Sequence, residues 1–394
     1  MILTLQEYRP LLVSRTQLPD AAGELLWREY DQRRGCLRVE FPSLATRQQW
    51  RLTSLGWVGS IPLTSDISLR LNPKLSLHNL FAMWRWVHDL HSVHWLDGLT
   101  TADSLDDFYA QLAQILAERV LHRARLGLHR AYVGWERPSS FVRGQIQWQH
   151  PPRPGDVALT CRYEAFTADI AENQILAYTL GVIARSGRCE GDGATAVSRA
   201  YRVLLGAAAP VLPDNGGWWE RPYTRLTEDY RPLHALCRFF LEHTGPTHHS
   251  GEREMMPFLV NMAQLYERFV AAWLEVHLPA AWRVQVQERV QVGAVSGVQF
   301  DIDLVLYDEQ NRPHMVLDTK YKAPEKAANP DFNQVVTYAK AKGCREAVLV
   351  YPVGLERPLD VWLDDLHVRS LTFALDDDLE MSGKRFLERL AFSC

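Results

Sequence analysis

A chain of 394 residues, 47% hydrophobic and 23% charged, is long enough for two or three domains and has the composition of an ordinary soluble globular protein. A formal net charge of −4 excludes a protein that coats nucleic acid over its whole surface, and no apolar run approaches the ~20 residues of a membrane span. The six cysteines are scattered, with no Cys-x-x-Cys pair and no secretory leader, so they read as reduced thiols of a cytoplasmic protein.

In chain order, residues 1–100 carry short β-like runs at 36–41, 56–63 and 67–71, broken by proline and glycine. They end in LNPKLSLHNLFAMWRWVHDL, a turn leading into an aromatic-rich helix. Residues 101–250 read as mainly helical. Ser104 with Asp107 forms a capping box opening a helix to about residue 122, its stripe made by Leu105, Phe108, Leu112, Ile115 and Leu116. A β-like piece, FVRGQIQWQ, follows, then a helix from 167 to about 185 and a glycine-rich connection over 186–195. Between Arg119 and Arg153 stand seven arginines and one acid, Glu136, interleaved with Tyr132, Trp135, Phe141 and Trp148. That composition suits either a phosphate- or base-contacting surface or simply a solvated face of a lysine-poor protein.

Residues 251–394 carry the strongest chemical signal. MPFLVNMAQLYERFVAAWLEVH, 256–277, has a 3.6-residue apolar period through Phe258, Met262, Leu265, Tyr266, Phe269 and Trp273. Glu267 lies on the flank of that stripe, either as a metal-reaching acid or as a surface glutamate. FDIDLVLYDEQNRPHMVLDTKYK, 300–322, reads as two strands of a hairpin with Asn311 and Pro313 in the connection. If they pair, Asp303 and Asp318 come together, and two close carboxylates call for a cation. Hard oxygen ligands suit Mg²⁺ or Mn²⁺. Asp301 shares the face of Asp303 through the strand alternation; Asp303 is preferred because Leu304, Val305 and Leu306 continue directly from it.

Asp318 and Lys320 point the same way on a strand, which sets an ammonium beside the metal. This spacing is the signature of the PD-(D/E)xK nucleases. The chain has only seven lysines, five of them between 320 and 342, and no other has an acid two positions before it. That local excess would draw a polyanion. DFNQVVTYAKAK, 331–342, follows as a helix with the stripe Phe332, Val335, Val336 and Ala339. Its Gln334 and Tyr338 share a face, the Gln-x-x-x-Tyr pattern of the RecB-like branch of that superfamily. AVLVYP, 347–352, reads as a further strand.

Other constellations carry less. His88, His91 and His94, and His243, His248 and His249, have no partner cysteines and read as structural rather than zinc-binding. No Gly-x-Ser-x-Gly elbow is present. Nothing matches Gly-x4-Gly-Lys-Ser/Thr, so the chain is not expected to hydrolyse nucleotides itself.

Three segments resemble the McrC family, the nuclease subunit of McrBC-type modified-DNA restriction systems. They are VQFDIDLVLYD…HMVLDTKYK…DFNQVVTYAKAKG…AVLVYP, with Glu267 in LYERFV ahead of it; FVRGQIQWQ…CRYEAFTADIAENQILAYTL; and GWVGSIPL…LNPKLSLHNLFAMW. The resemblance implies an α+β multidomain chain: an N-terminal β-rich docking region (1–100), a helical middle region (101–250), and a C-terminal α/β PD-(D/E)xK core (251–394) with a mixed sheet flanked by helices. It implies an AAA+ GTPase partner, McrB, which recognises DNA carrying modified cytosines such as 5-methylcytosine, and on which this chain docks to stimulate GTP hydrolysis and cut DNA. In the expected mechanism Asp303, Asp318, the Thr319 carbonyl and Glu267 hold Mg²⁺ or Mn²⁺. Lys320 orients a water or steadies phosphate oxygens, while Gln334 and Tyr338 brace the site. The alternatives are a RecB-like repair exonuclease and a non-catalytic activator of a motor partner.

Overall fold

A computed structural model describes residues 1–64, 66–74, 76–88, 90, 104–148, 158–213, 222–245, 248–250, 253–292, 298–322, 324–375 and 378–390. The chain forms two compact units, one made of residues 1–100 with 257–394 and the other of residues 101–256. The three regions expected from the sequence thus fall into two units, and the reason lies in how the first unit's sheets are completed.

The N-terminal part comprises β1 (Ile2–Gln6), β2 (Leu11–Val13), α1 (Asp20–Leu25), which runs on into a π-helical turn (Leu26–Gln32), β3 (Leu37–Glu40), β4 (Trp50–Ser54), β5 (Trp57–Pro62), β6 (Ser68–Asn72) and α2 (Leu77–Val87). Strands β2, β4 and β3 form an antiparallel sheet, while β1 runs parallel to β6, which pairs antiparallel with β5. The β-like runs of the sequence correspond to β3, β5 and β6; β1, β2, β4 and α1 were not anticipated. Leu5, Trp50, Leu52, Ile61 and Leu71 meet in one buried core. Ser76 caps α2, its side chain accepting from the Asn79 N–H, so the expected turn-to-helix junction is present.

The second unit holds α3 (Leu105–Leu126), β7 (Ala131–Ser139), β8 (Gln145–Ile146), β9 (Leu159–Thr167), α4 (Ala171–Ser186), α5 (Gly191–Leu205), α6 (Arg231–His243), β10 (His248–Ser250) and β11 (Arg253–Met255). Ser104 caps α3 as expected: the Asp107 N–H donates to its Oγ at 3.1 Å, and that Oγ donates to the Asp107 carboxylate at 2.6 Å. Helix α4 starts four residues later than the sequence suggested, because Thr167 closes the nine-residue strand β9 instead. The glycine-rich stretch is a shorter connection than expected, since α5 begins at Gly191.

A buried polar cluster ties this unit together. The Asn173 amide donates to the carbonyls of His129 at 3.0 Å and Ala168 at 2.7 Å, and its Oδ1 accepts from the Tyr230 hydroxyl at 2.9 Å. Strands β7, β9 and β8 form a small antiparallel sheet. Its outer residues include the exposed Tyr132 and Phe166, and the Arg137 guanidinium lies 4.7 Å from the Trp135 ring centroid.

The chain then returns to the first unit through β12 (Phe258–Asn261), followed by α7 (Met262–His277), β13 (Arg283–Val292), β14 (Val298–Tyr307), β15 (Pro313–Thr319), α8 (Asn329–Lys342), β16 (Glu346–Tyr351), β17 (Asp360–Leu363), β18 (Leu366–Thr372) and α9 (Leu379–Leu390). Strand β12 pairs antiparallel with β5 and becomes the fourth strand of the N-terminal sheet. Gly59 makes this possible. Its φ is +142°, and a Cβ there would lie 2.0 Å from the Phe258 carbonyl oxygen, so only glycine permits the approach. The helix expected over 256–277 therefore begins only at Met262. Pro257 holds the preceding residue extended, the buried run Phe258, Leu259, Val260 enters the sheet, and the Asn261 side chain caps α7 by accepting from the Gln264 N–H at 3.2 Å.

The remaining strands make a six-stranded mixed sheet in the order β13-β14-β15-β16-β18-β17. Strands β13, β14 and β15 are antiparallel neighbours, and β16 runs parallel to both β15 and β18. Every residue of β16 from Ala347 to Tyr351 is buried, as a strand with parallel neighbours on both sides requires. One face packs Val305, Val316, Ala347, Leu349 and Val368 under Val335, Tyr338 and Ala339 of α8. Among the described residues, no helix is long and apolar enough to cross a membrane, and Cys36, Cys161, Cys189, Cys237 and Cys344 are free thiols.

Candidate active site

The hairpin of β14 and β15 turns at Asn311, whose φ is +59°, with the Asp308 carboxylate accepting from the Gln310 and Arg312 N–H groups at 2.9 Å each. The ladder runs from Tyr307 opposite Pro313 to Leu304 opposite Leu317. One step further along the same register, Asp303 faces Asp318, and there the ladder gives way to side-chain bonds. The Thr319 N–H and hydroxyl donate to Asp303 Oδ2 at 2.9 and 3.1 Å. Asp303 and Asp318 thus stand just past the end of the β14–β15 ladder, on the face of Val305 and Val316 that α8 covers.

Asp318 is fully buried. Its Oδ2 lies 2.8 Å from Lys320 Nζ, while its Oδ1 receives no hydrogen bond among the described residues. Lys320 Nζ also donates to Gln334 Oε1 at 3.1 Å, and Gln334 Nε2 donates to the Tyr338 hydroxyl at 2.7 Å. One chain of contacts therefore runs from Asp318 through Lys320 and Gln334 to Tyr338. The i, i+2 spacing on the strand and the i, i+4 spacing on α8 bring these four side chains together.

Burial, reinforced by the neighbouring Asp303 charge, pushes the Asp318 carboxyl up to about 7 although Lys320 pulls it down. Burial opposes the charge on Lys320, but Asp318 and then Asp303 outweigh that and hold its ammonium above the ordinary value. The Asp303 charge contributes to both shifts, and Asp331 adds a smaller share. Glu267, half-buried on α7, joins the same field: burial and then Asp303 raise its carboxyl, and Gln287 Nε2 donates to its Oε1 at 3.2 Å.

Asp301 lies elsewhere. It is exposed and paired with the exposed Arg289 at 3.0 Å. Of the five lysines between 320 and 342, Lys322 pairs with Asp331 at 2.5 Å and Lys342 with Glu288 at 2.5 Å. With Lys320 held on Asp318, only Lys326 and Lys340 remain exposed, which reduces the local positive excess read from the sequence. His88 packs its ring on Trp84 at 5.3 Å and His243 on Phe239 at 5.0 Å, while His91 and His94 lie outside the described residues. The residue that sequence reasoning missed is Gln287: within RVQVQERVQV it looks like one more polar position of an alternating strand.

Among the described residues, no three His, Cys, Asp or Glu side chains form a ready-made metal-ligand group. The donor set nonetheless fits a hard divalent cation that keeps several waters. Mg²⁺ is commonly held by one or two carboxylates, and here two stand together with a buried oxygen that lacks a donor and a charge surplus that a cation would neutralise.

A family model described as McrBC 5-methylcytosine restriction system component matches residues 52–352. No curated protein matches the chain. Among solved structures, the chain is similar to one in a refined half-complex from a tetradecameric assembly of Thermococcus gammatolerans McrB AAA+ hexamers with bound McrC. The two share 16% identity at a TM-score of 0.60, over 99% of this chain and 100% of that one. It is also similar to a chain of the cryo-EM structure of the Thermococcus gammatolerans McrBC complex, at 18% identity and a TM-score of 0.44, over 71% of this chain and 88% of that one. The first likeness extends the common fold beyond the matched segment to nearly the whole chain, and with three-quarters of its length inside the family model, the chain belongs to the McrBC 5-methylcytosine restriction system component family.

Proposed function

We propose that this chain is the metal-dependent DNA endonuclease subunit of a McrBC-like restriction complex, built on a PD-(D/E)xK core and acting with an AAA+ GTPase of the McrB kind. The observation that carries the reading is the pair of facing carboxylates, Asp303 half-buried and Asp318 fully buried, with Lys320 ion-paired to the second acid. An acid on each of two neighbouring strands and a lysine two residues after the second are the residue types that phosphodiester hydrolysis needs. A stability role alone gives no reason to bury Asp318 with one oxygen unbonded. The solved relative's assembly with McrB hexamers supports the choice of partner.

In this reading Asp303, Asp318, the Thr319 carbonyl and Glu267 would hold Mg²⁺ or Mn²⁺. The ion would lower the pKa of a coordinated water and take up charge growing on the phosphate. Lys320 is already aimed by Gln334, which Tyr338 holds in turn, so its ammonium can orient the attacking water or steady the phosphate oxygens without a search over rotamers. Strand β12 ties the N-terminal sheet to this core. The N-terminal region, residues 1–100, would dock on the ring.

The test is reconstitution. The purified chain with Mg²⁺ alone should cut DNA poorly. Adding the AAA+ partner and GTP should produce cleavage restricted to DNA with modified cytosines, accompanied by a raised GTPase rate. Efficient cutting by the chain alone, blind to methylation, would favour a RecB-like repair exonuclease. A raised GTPase rate with no cleavage under any metal would favour a non-catalytic activator.

A further inference from the structure

Strand β13 is interrupted at one residue. Its pairing with β14 holds at Val286 opposite Leu304 and resumes at Glu288 opposite Ile302, and the residue between them is Gln287, whose register partner would be Asp303. Gln287 has a φ of +47° in the middle of a ten-residue strand. A left-handed backbone is strained for a residue with a Cβ, and glutamine lacks the short side chain with which asparagine or aspartate offsets that strain locally. The conformation turns the side chain toward α7, where its amide donates to Glu267 Oε1 at 3.2 Å. The break in the ladder and the hydrogen bond therefore occur at one residue, opposite one member of the acid pair and in contact with the third acid.

We propose that Gln287 is a positioning residue: it holds the Glu267 carboxylate beside Asp303 so that Glu267, Asp303 and Asp318 face one divalent cation. The inference rests on the metal-dependent reading of the site and deepens it. Glu267 reaches the site from a different element than the two aspartates, so nothing in the hairpin fixes its orientation. The amide engages Oε1 only and leaves Oε2 for a ligand. Partners of this kind set the orientation of the groups that touch a metal, and their loss commonly weakens metal binding 10–100-fold.

Two substitutions separate the side chain from the backbone. Gln287→Gly accepts positive φ without strain and deletes the amide; Gln287→Asn tolerates the same φ and keeps an amide that is one methylene too short to reach Glu267. Mn²⁺ binding to the full chain would be measured by titration calorimetry beside the thermal melt, with Asp318→Asn as control. Both Gln287 variants should melt at or above the wild-type temperature and bind Mn²⁺ about 10-fold more weakly or worse. In the reconstituted complex their cleavage should recover as metal concentration is raised. Wild-type Mn²⁺ affinity in both variants, with Asp318→Asn having lost it, would overturn the role of Gln287 and leave the metal reading standing. No Mn²⁺ binding by the wild-type chain, or unchanged binding by Asp318→Asn, would overturn both.

Discussion

Two buried polar clusters in this chain are built to opposite rules. In the middle unit Asn173 uses its amide and its carbonyl oxygen on three partners drawn from different segments, and its donors are satisfied. Within the six-stranded sheet Asp318 is equally buried, yet one oxygen has no donor, a second carboxylate lies opposite, and its carboxyl is pushed up to about 7. The first arrangement lowers the energy of the fold. The second leaves it higher than it need be, which is what a site awaiting a cation and a phosphate looks like.

The largest effects should come from breaking each cluster in turn. Asp318→Asn removes the surplus charge while keeping the shape, so cleavage by the reconstituted complex should fall at least ~10²-fold while the melting temperature at pH 8 holds or rises. Asn173→Ala should do the reverse. It leaves the His129 and Ala168 carbonyls and the Tyr230 hydroxyl without their partner, costing roughly 2–4 kcal/mol by denaturant titration and leaving Mn²⁺ affinity unchanged. A stable Asn173→Ala protein, or a strongly destabilised Asp318→Asn one, would erase the contrast.

A sharper cut compares neighbouring acids on one strand. Asp303→Asn should lose cleavage about as severely as Asp318→Asn, whereas Asp301→Asn should retain most of it. Asp301 only forms an exposed pair with Arg289, an interaction of the kind worth ~0–1 kcal/mol. Cleavage assays on the two variants side by side decide this. The reverse ranking would move the metal two residues along β14.

The smallest effect concerns a third buried acid. Glu7 is fully buried beside the Lys74 N–H, at 3.3 Å, and the Tyr321 hydroxyl, at 3.4 Å. Burial raises its carboxyl above the ordinary 4.5 despite the lowering by Lys74 and Tyr321. The folded state therefore binds this proton more tightly than the unfolded chain does. The stability tied to it is present below pH 4.5, is lost as pH rises from there through the raised folded value, and stays lost above it. Glu7→Gln abolishes that slope, so it should raise the melting temperature by about 1–2 °C at pH 8 and leave it unchanged at pH 4. An equal shift at both values would mean that Glu7 acts through packing rather than charge.

The elements that carry the proposed chemistry were legible because their geometry is local. Asp318 and Lys320 lie two apart on a strand, Gln334 and Tyr338 four apart on a helix, and the hairpin that brings Asp303 to Asp318 closes over a connection of a few residues. Backbone periodicity alone dictates such neighbours. The strand inside the expected helix over 256–277 was hidden because an apolar run of three residues fits either structure until a partner strand decides. That partner is β5, some two hundred residues earlier, admitted only because position 59 is glycine. Asn173 reads as one polar residue in a helix, and its three partners come from three other segments. Gln287 is equally silent: an alternating strand hides a residue whose φ is positive, and the acid it holds lies on a helix twenty residues back. Sequence-local spacing sufficed for the acid pair, the lysine and its support, since a strand and a helix impose their periods on any chain that adopts them. The joining of the chain's two ends into one unit and the setting of the third acid depended on which distant segments come to rest together, a choice made by the energy of the whole packed structure and absent from any window of it.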